Sequence, residues 1–170
     1  TRISEALALV NYKWIKLYPS KQQVKLKKPG MQLDFGGIAK GYAIDEVFKI
    51  LRGNGITEAI VDGGGDLFIS APPPDGTTWD IKNHQGDPVN IDPPIALASS
   101  GDQYRYLDWN GKRFSHIVDP SDGMGLQHGE TVTVSAPNAT LADALASASS
   151  VLNSDKQNKL LKKYQAKLVF

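Results

Sequence analysis

Apolar and polar residues alternate in short runs along most of this chain, and four times the alternation gives way to helical spacing. Alternation marks half-buried strands, whereas apolar residues three and four apart mark amphipathic helices. Strands are predicted at Trp14-Ile15-Lys16-Leu17-Tyr18, Gln23-Val24-Lys25-Leu26 and Met31-Gln32-Leu33-Asp34-Phe35. Further strands fall at Glu58-Ala59-Ile60-Val61-Asp62, Leu67-Phe68-Ile69-Ser70, Trp79-Asp80-Ile81-Lys82, Ile95-Ala96-Leu97-Ala98, Thr131-Val132-Thr133-Val134-Ser135 and Ala166-Lys167-Leu168-Val169-Phe170. Tyr104-Arg105-Tyr106-Leu107 and Arg113-Phe114-Ser115-His116-Ile117-Val118 form a hairpin across Asn110-Gly111, a strong turn pair. Helical spacing covers residues 2–10, the stretch after Gly37 with Ala43, Val47, Ile50 and Leu51 in step, residues 140–152 and residues 156–164. Gly53 and Gly55 stop the second of these helices. Neither an internal repeat nor a linker divides the chain. The pattern predicts one α+β domain over residues 1–170, with mostly antiparallel strands and interspersed helices.

Length permits this, since 170 residues bury a sizeable core. Hydrophobic residues make up 41% and charged ones 22%, as expected of a soluble globular protein. A formal charge of +1 gives no basic footprint for nucleic acid. The lysines at 156, 159, 162, 163 and 167 read as the solvated face of a terminal helix. Without cysteine, disulfides, thiolate metal sites and cysteine nucleophiles are excluded, while the compartment stays open. No apolar run reaches membrane-spanning length. The start at Thr1, without an initiator methionine, is expected of a mature or trimmed form.

Chemistry concentrates around Asp34-Phe35-Gly36-Gly37-Ile38-Ala39-Lys40-Gly41, where a strand turns through glycines into a helix start. Unpaired N–H groups in the first helical turn and small residues around them suit an anion. Lys40 opposes the helix dipole there, so a negative group is expected close by. An ordinary strand-to-helix turn is the competing reading, and the glycine spacing is not that of a P-loop. Gly63-Gly64-Gly65 between Asp62 and Asp66 reads either as a tight turn with close backbone packing or as a cradle toward which an aspartate reaches.

Asp143 and Ser147 lie four apart, one turn apart on one helix face, so a carboxylate and a hydroxyl can reach one hard cation such as magnesium. Thr140-Leu141-Ala142-Asp143 also fits a capping box, in which Asp143 bonds back to the helix start, and spacing alone favours the cap. His116 is on a predicted strand beside Asp119-Pro120 and can accept a proton from a hydroxyl nucleophile; a structural role is the alternative. His84 is read as exposed and His128 is given no role. Neither a zinc-type histidine cluster nor a serine-hydrolase elbow is present.

Taken together, Asp34 to Asp45 (DFGGIAKGYAID), Val61-Asp62-Gly63-Gly64-Gly65-Asp66, Ser100-Gly101-Asp102, His116-Ile117-Val118-Asp119-Pro120 and Ala142-Asp143-Ala144-Leu145-Ala146-Ser147 resemble the ApbE family of FAD:protein FMN transferases. The motifs follow the family's order over most of the chain. The resemblance implies a magnesium-dependent reaction in which the FMN part of FAD moves to a threonine hydroxyl of a target flavoprotein subunit, releasing AMP. Some members instead hydrolyse FAD to FMN and AMP, and a non-catalytic flavin-binding module is a further alternative. It also implies that Ala39 (through its carbonyl), Asp143 and Ser147 hold Mg2+, that His116 is the base, and that Gly37, Lys40, Asp45, Gly101 and Ile117 line the FAD site. On the same resemblance the negative group expected at Lys40 is a pyrophosphate with its metal. The family usually has threonine at the positions of Ser147 and Asp122. It carries a long N-terminal section that helps enclose the flavin, so the chain is expected to be the C-terminal part of a longer member. That parent is expected to be periplasmic or exported and possibly lipid-anchored.

Overall fold

The computed structural model describes residues 2–83, 85–102, 105–127 and 129–169. The backbone gathers into two compact units, one of Thr1–Phe35 with Asp102–Gly129, the other of Gly36–Gly101 with Glu130–Phe170.

In the first unit, α1 (Arg2–Leu7) is followed by the hairpin of β1 (Ile15–Tyr18) and β2 (Gln23–Leu26). Helix α1 stops three residues short of the predicted end and leaves Ile3 and Val10 exposed. Residues 31–35 pair with no strand among the described residues. Alternation states which side chains share a face, but a strand also needs a partner ladder, and Leu33 and Phe35 stay exposed here.

The second hairpin of this unit comes from the later part of the chain. Between the two, the second unit supplies α2 (Ala39–Gly53), β3 (Ile60–Asp62), β4 (Leu67–Ile69) and β5 (Ile95–Ser100). The hairpin itself is β6 (Tyr106–Trp109) and β7 (Lys112–Ser115), turning at Asn110 and Gly111 with φ of +49° and +72°. Both central residues of a type I′ turn need positive φ, which is why this pair was diagnostic. Strand β7 ends at Ser115, so His116 stands just beyond the strand rather than on it. Tyr104 lies outside the described residues.

The second unit is completed by β8 (Val132–Ala136), α3 (Ala139–Ser150), α4 (Ser154–Lys163) and β9 (Lys167–Leu168). Its five strands form one antiparallel sheet in the order β3-β4-β5-β8-β9. The mostly antiparallel α+β expectation holds. The predicted strand at 79–82 does not form; only an isolated bridge from Lys82 to Pro88 is made in this proline-rich stretch. The last strand is shorter than expected, and Phe170 is not described.

The core of this unit lies between the sheet and its helices. Phe68, Ala96 and Ala136 are successive cross-strand partners, and Ala98 pairs with Val134, so one sheet face is built largely of small residues. Against it α3 turns Ala139, Ala142, Leu145 and Ala146, all buried. Alanine on both sides lets helix and sheet approach closely. Helix α2 buries Gly41 and Ile44, with the Phe48 ring tilted against Phe68 at 4.7 Å between ring centroids. The stripe picked out by spacing, Ala43, Val47 and Ile50, faces outward instead. Two apolar stripes compete on this helix, and the glycine-containing one wins because only it can meet α3.

A β-carbon on Gly41 would lie 2.1 Å from the Ala139 carbonyl oxygen, which nothing but backbone movement can relieve. Gly53 closes the same helix with open space around it. Gly41→Ala is therefore expected to cost about 3 kcal/mol or more, by forcing the helices apart, while Gly53→Ala is neutral or stabilises by up to about 1 kcal/mol. Denaturant unfolding of both variants checks this, and equal effects would contradict it.

Candidate active site

The start of α2 is where the predicted residues meet. Ile38 precedes the helix without a side-chain cap, so the first-turn N–H groups look elsewhere. The Asp143 carboxylate from α3 fills that role: its Oδ2 accepts the Gly41 N–H at 3.0 Å. The anion expected at this helix start is thus, in this structure, a side chain of the protein itself. Asp143 is 5% exposed. Burial raises its pKa above the usual carboxylate range; the Gly41 N–H opposes this, the charge of Asp66 adds to it, and Lys40 opposes it.

One turn along α3, Ser147 faces Gly37. A β-carbon on Gly37 would stand 3.0 Å from the Ser147 hydroxyl oxygen, so the glycine is what admits that hydroxyl beside the backbone. Gly37, Ala39, Gly41, Asp143 and Ser147 therefore share one place, with Ala39 as the first residue of α2. The capping reading of Asp143 is corrected. Helix α3 begins at Ala139, one residue earlier than predicted, and Asn138 caps it by accepting the Leu141 N–H at 2.9 Å.

Lys40 finds its negative partner in Asp66, with Nζ 2.7 Å from Oδ2. The Asp66 side chain is 2% exposed and its Oδ1 accepts the Ser99 N–H at 3.2 Å. The glycine turn before it is a tight turn: Asp62 Oδ1 accepts from Gly64 and Gly65 N–H at 2.8 Å each, and a β-carbon on Gly63 would meet Ile44 at 2.8 Å. The negative group expected close to Lys40 is thus present as the Asp66 carboxylate.

Asp45 sits elsewhere on α2. Its two carboxylate oxygens accept the Ala139 and Thr140 N–H groups at 2.9 Å each, and the Thr140 hydroxyl also donates to it. A carboxylate at the positive end of α3 locks the two helices together. Gly101 follows β5, where a β-carbon would come 2.6 Å from the Thr131 hydroxyl.

His116 and Ile117 belong to the other unit. The Arg105 carbonyl lies 3.0 Å from His116 Nδ1 and also accepts the His116 backbone N–H at 3.2 Å. A carbonyl can only accept, so Nδ1 carries the proton of the neutral ring and Nε2 keeps the basic lone pair. The Ile117 N–H donates to the Ser115 hydroxyl at 3.0 Å. His84 and His128 lie outside the described residues.

Asp143 and Ser147 supply a carboxylate and a hydroxyl from one face of α3, oxygen donors of the kind magnesium takes, usually with only one or two carboxylates. Among the described residues no group of three His, Cys, Asp or Glu side chains is placed to hold a metal. Nor is any of their helices long and apolar enough to cross a membrane.

The sequence profile of the ApbE family matches residues 1–170. This chain belongs to the ApbE family. An FAD:protein FMN transferase of Haemophilus influenzae is 32% identical over 166 residues, covering 91% of this chain and 48% of that protein. One of Treponema pallidum is 30% identical over 157 residues, covering 83% and 43%. The crystal structure of the ApbE protein from Thermotoga maritima superposes with a TM-score of 0.81 at 32% identity, covering 99% of this chain and 58% of that one. The α+β fold is therefore the ApbE fold. The chain spans about half the length of the relatives it matches.

Because the folded-state pKa of Asp143 is raised above its ordinary 3.8, folding holds its proton to higher pH than unfolding does. The associated stability is present below that value and lost as pH rises through the folded-state pKa. Asp143→Asn keeps an acceptor for Gly41 and removes the buried charge. In chelator, its melting temperature relative to the parent chain is expected to rise as pH increases from about 4 toward neutral. Asp143→Ala leaves the Gly41 N–H unpaired, at a cost of about 1–3 kcal/mol relative to Asp143→Asn. A parent-to-Asn difference that ignores pH would contradict the assignment.

Proposed function

We propose that this ApbE-family chain is a flavin transferase. Residues 1–170 serve as a single catalytic domain that moves FMN from FAD to a threonine hydroxyl of a target protein and releases AMP. The observation that carries this reading is the meeting of Gly37, Ala39, Asp143 and Ser147 at the start of α2, in a chain whose relatives bear the name FAD:protein FMN transferase.

His116 acts as the general base. Its Nε2 takes the proton of the acceptor hydroxyl, while the Arg105 carbonyl holds the ring in the tautomer that leaves Nε2 free. The hydroxyl oxygen attacks the phosphorus on the FMN side of the pyrophosphate, the P–O bond to AMP breaks, and AMP leaves with that electron pair. Asp143 and Ser147, with the Ala39 carbonyl, hold magnesium, which when bound neutralises pyrophosphate charge. Asp143 is kept in place by the Gly41 N–H, and Asp45 fixes α3 on α2 so that this face stays aligned. Gly37, Gly101 and Ile117 present backbone to the flavin nucleotide. Lys40 lies at its edge, half exposed, tied to Asp66.

The test is AMP release from FAD with and without magnesium, on the chain as given, followed by addition of an acceptor. Magnesium-dependent AMP is expected, with covalent flavin on the acceptor. His116→Ala should lower the rate at least about 100-fold and leave FAD binding in place. Free FMN appearing without an acceptor, and no labelled acceptor, would favour FAD hydrolysis. Bound FAD with no AMP under any condition would favour a binding module.

A further inference from the structure

Residues 6–33 hold six lysines, at 13, 16, 21, 25, 27 and 28, and no aspartate, glutamate or arginine, in a chain whose formal charge is only +1. All six are exposed, on and around the β1–β2 hairpin. Lys16 and Lys25 stand directly opposite each other across it, an arrangement that destabilises a strand pair. Lys28 lies 3.9 Å over the Trp14 ring, but among the described residues no carboxylate pairs with Lys16, Lys21 or Lys25. The rungs nearest the turn carry exposed apolar side chains. Tyr18 faces Gln23 there, and Leu17 faces Val24, the two being 67% and 53% exposed. Lys21 lies in the turn itself, where a concavity of about 600 Å³ opens between Tyr18, Lys21, Gln23 and Lys25.

We propose that the tip of this hairpin docks on a lipid bilayer whose surface carries anionic headgroups. The unmatched lysines fix the sign of the partner, and three features fix its class. First, the charge is carried by lysine alone. Arginine is the residue that grips nucleic-acid phosphates and carboxylates bidentately, and lysine is depleted at protein–protein interfaces. A diffuse anionic surface needs only point charges. Second, the spacing suits a bilayer. The Lys16–Lys25 rung stands two residues behind Tyr18, about 7 Å at about 3.4 Å per residue. An interfacial element sinks its apolar face about 5–10 Å into the boundary between headgroups and acyl chains. Leu17, Tyr18 and Val24 therefore reach that boundary while the two lysines stay among the headgroups. Third, tyrosine is a residue of the membrane interface, and lysine stems lie along apolar surface with their ammonium groups in water. The concavity beside Lys21 and Lys25 receives a headgroup phosphate. The other lysine-rich element, α4, lacks this combination, because its Leu160 and Leu161 pack against the core.

The experiment sediments the whole chain, without FAD, with vesicles of phosphatidylcholine alone or with phosphatidylglycerol at about one part in four. Its outcome does not depend on the flavin reading. Binding is expected to the anionic vesicles, at least about tenfold weaker to the neutral ones, and lost at about 1 M salt, where the screening length is about 3 Å. Lys16→Gln with Lys25→Gln should weaken binding at least about tenfold, and Leu17→Ser with Val24→Ser by about as much. Lys159→Gln with Lys162→Gln removes the same charge from α4 and should change binding less than about threefold. All these side chains are exposed, so thermal melts should match the parent, or rise where the facing lysines are removed. The proposal is overturned if the chain ignores anionic vesicles, if it binds both kinds equally, or if the α4 variant loses as much as the hairpin lysine variant. It is also overturned if binding needs the lysines but ignores Leu17→Ser with Val24→Ser, since that would describe a surface for any polyanion, an acidic protein included.

Discussion

Everything in the second unit depends on how closely α2 can lie on α3. The approach is set by Gly41, whose α-carbon faces the Ala139 carbonyl with no room for a methyl group, and it is held by two carboxylates that bridge the helices in opposite senses. Asp143 of α3 accepts from the start of α2, and Asp45 of α2 accepts from the start of α3. Each helix thus supplies the anion for the other's positive end. Reciprocal capping of this kind fixes both the distance and the rotation of the pair. It is what brings the Ser147 hydroxyl against Gly37.

The small residues of the sheet follow from the same constraint. With α3 held low by its contact with α2, the strand positions beneath it can only be small, and Ala96, Ala98 and Ala136 occupy them. The apolar stripe of Ala43, Val47 and Ile50 on α2 is left outside for the same reason, although its spacing is as regular as that of the buried one.

Much of this was legible in the chain because local signals and tertiary demands agreed. Asn110-Gly111 can make few turns other than the one it makes, and the strands of the sheet follow their alternation. The strand–glycine–helix unit was visible from Gly36-Gly37, and the family resemblance pointed to Asp143 and Ser147. What stayed hidden were pairings across long separations. Nothing near Lys40 announces Asp66, and nothing near Asp45 announces the start of α3. The capping-box pattern at Thr140 was misleading for a related reason. Asn138 offers a better oxygen one residue before the helix, and Asp143 is already spoken for by Gly41. Residues 31–35 and 79–82 alternate like strands but lack a neighbouring ladder, which no local pattern can supply.

The charges at the start of α2 carry the argument one step further. Asp66 and Asp143 are both buried, and they face a single ammonium group, that of Lys40. Burying a carboxylate is costly unless its charge is matched, and one lysine cannot match two. Asp45 adds no imbalance, because the helix start it caps is its counter-charge. The surplus negative charge therefore rests on Asp143, whose raised pKa has burial as its leading cause and Asp66 as a contributor. Such a carboxylate is poised either to hold a proton or to exchange it for a metal ion. Under the proposed function, a hard divalent cation held by Asp143 and by Ser147 one turn away would relieve this imbalance and use the second oxygen donor as well. Under the proposed function, the strain of a badly neutralised site in the metal-free chain becomes affinity for the ion that the reaction on a pyrophosphate requires.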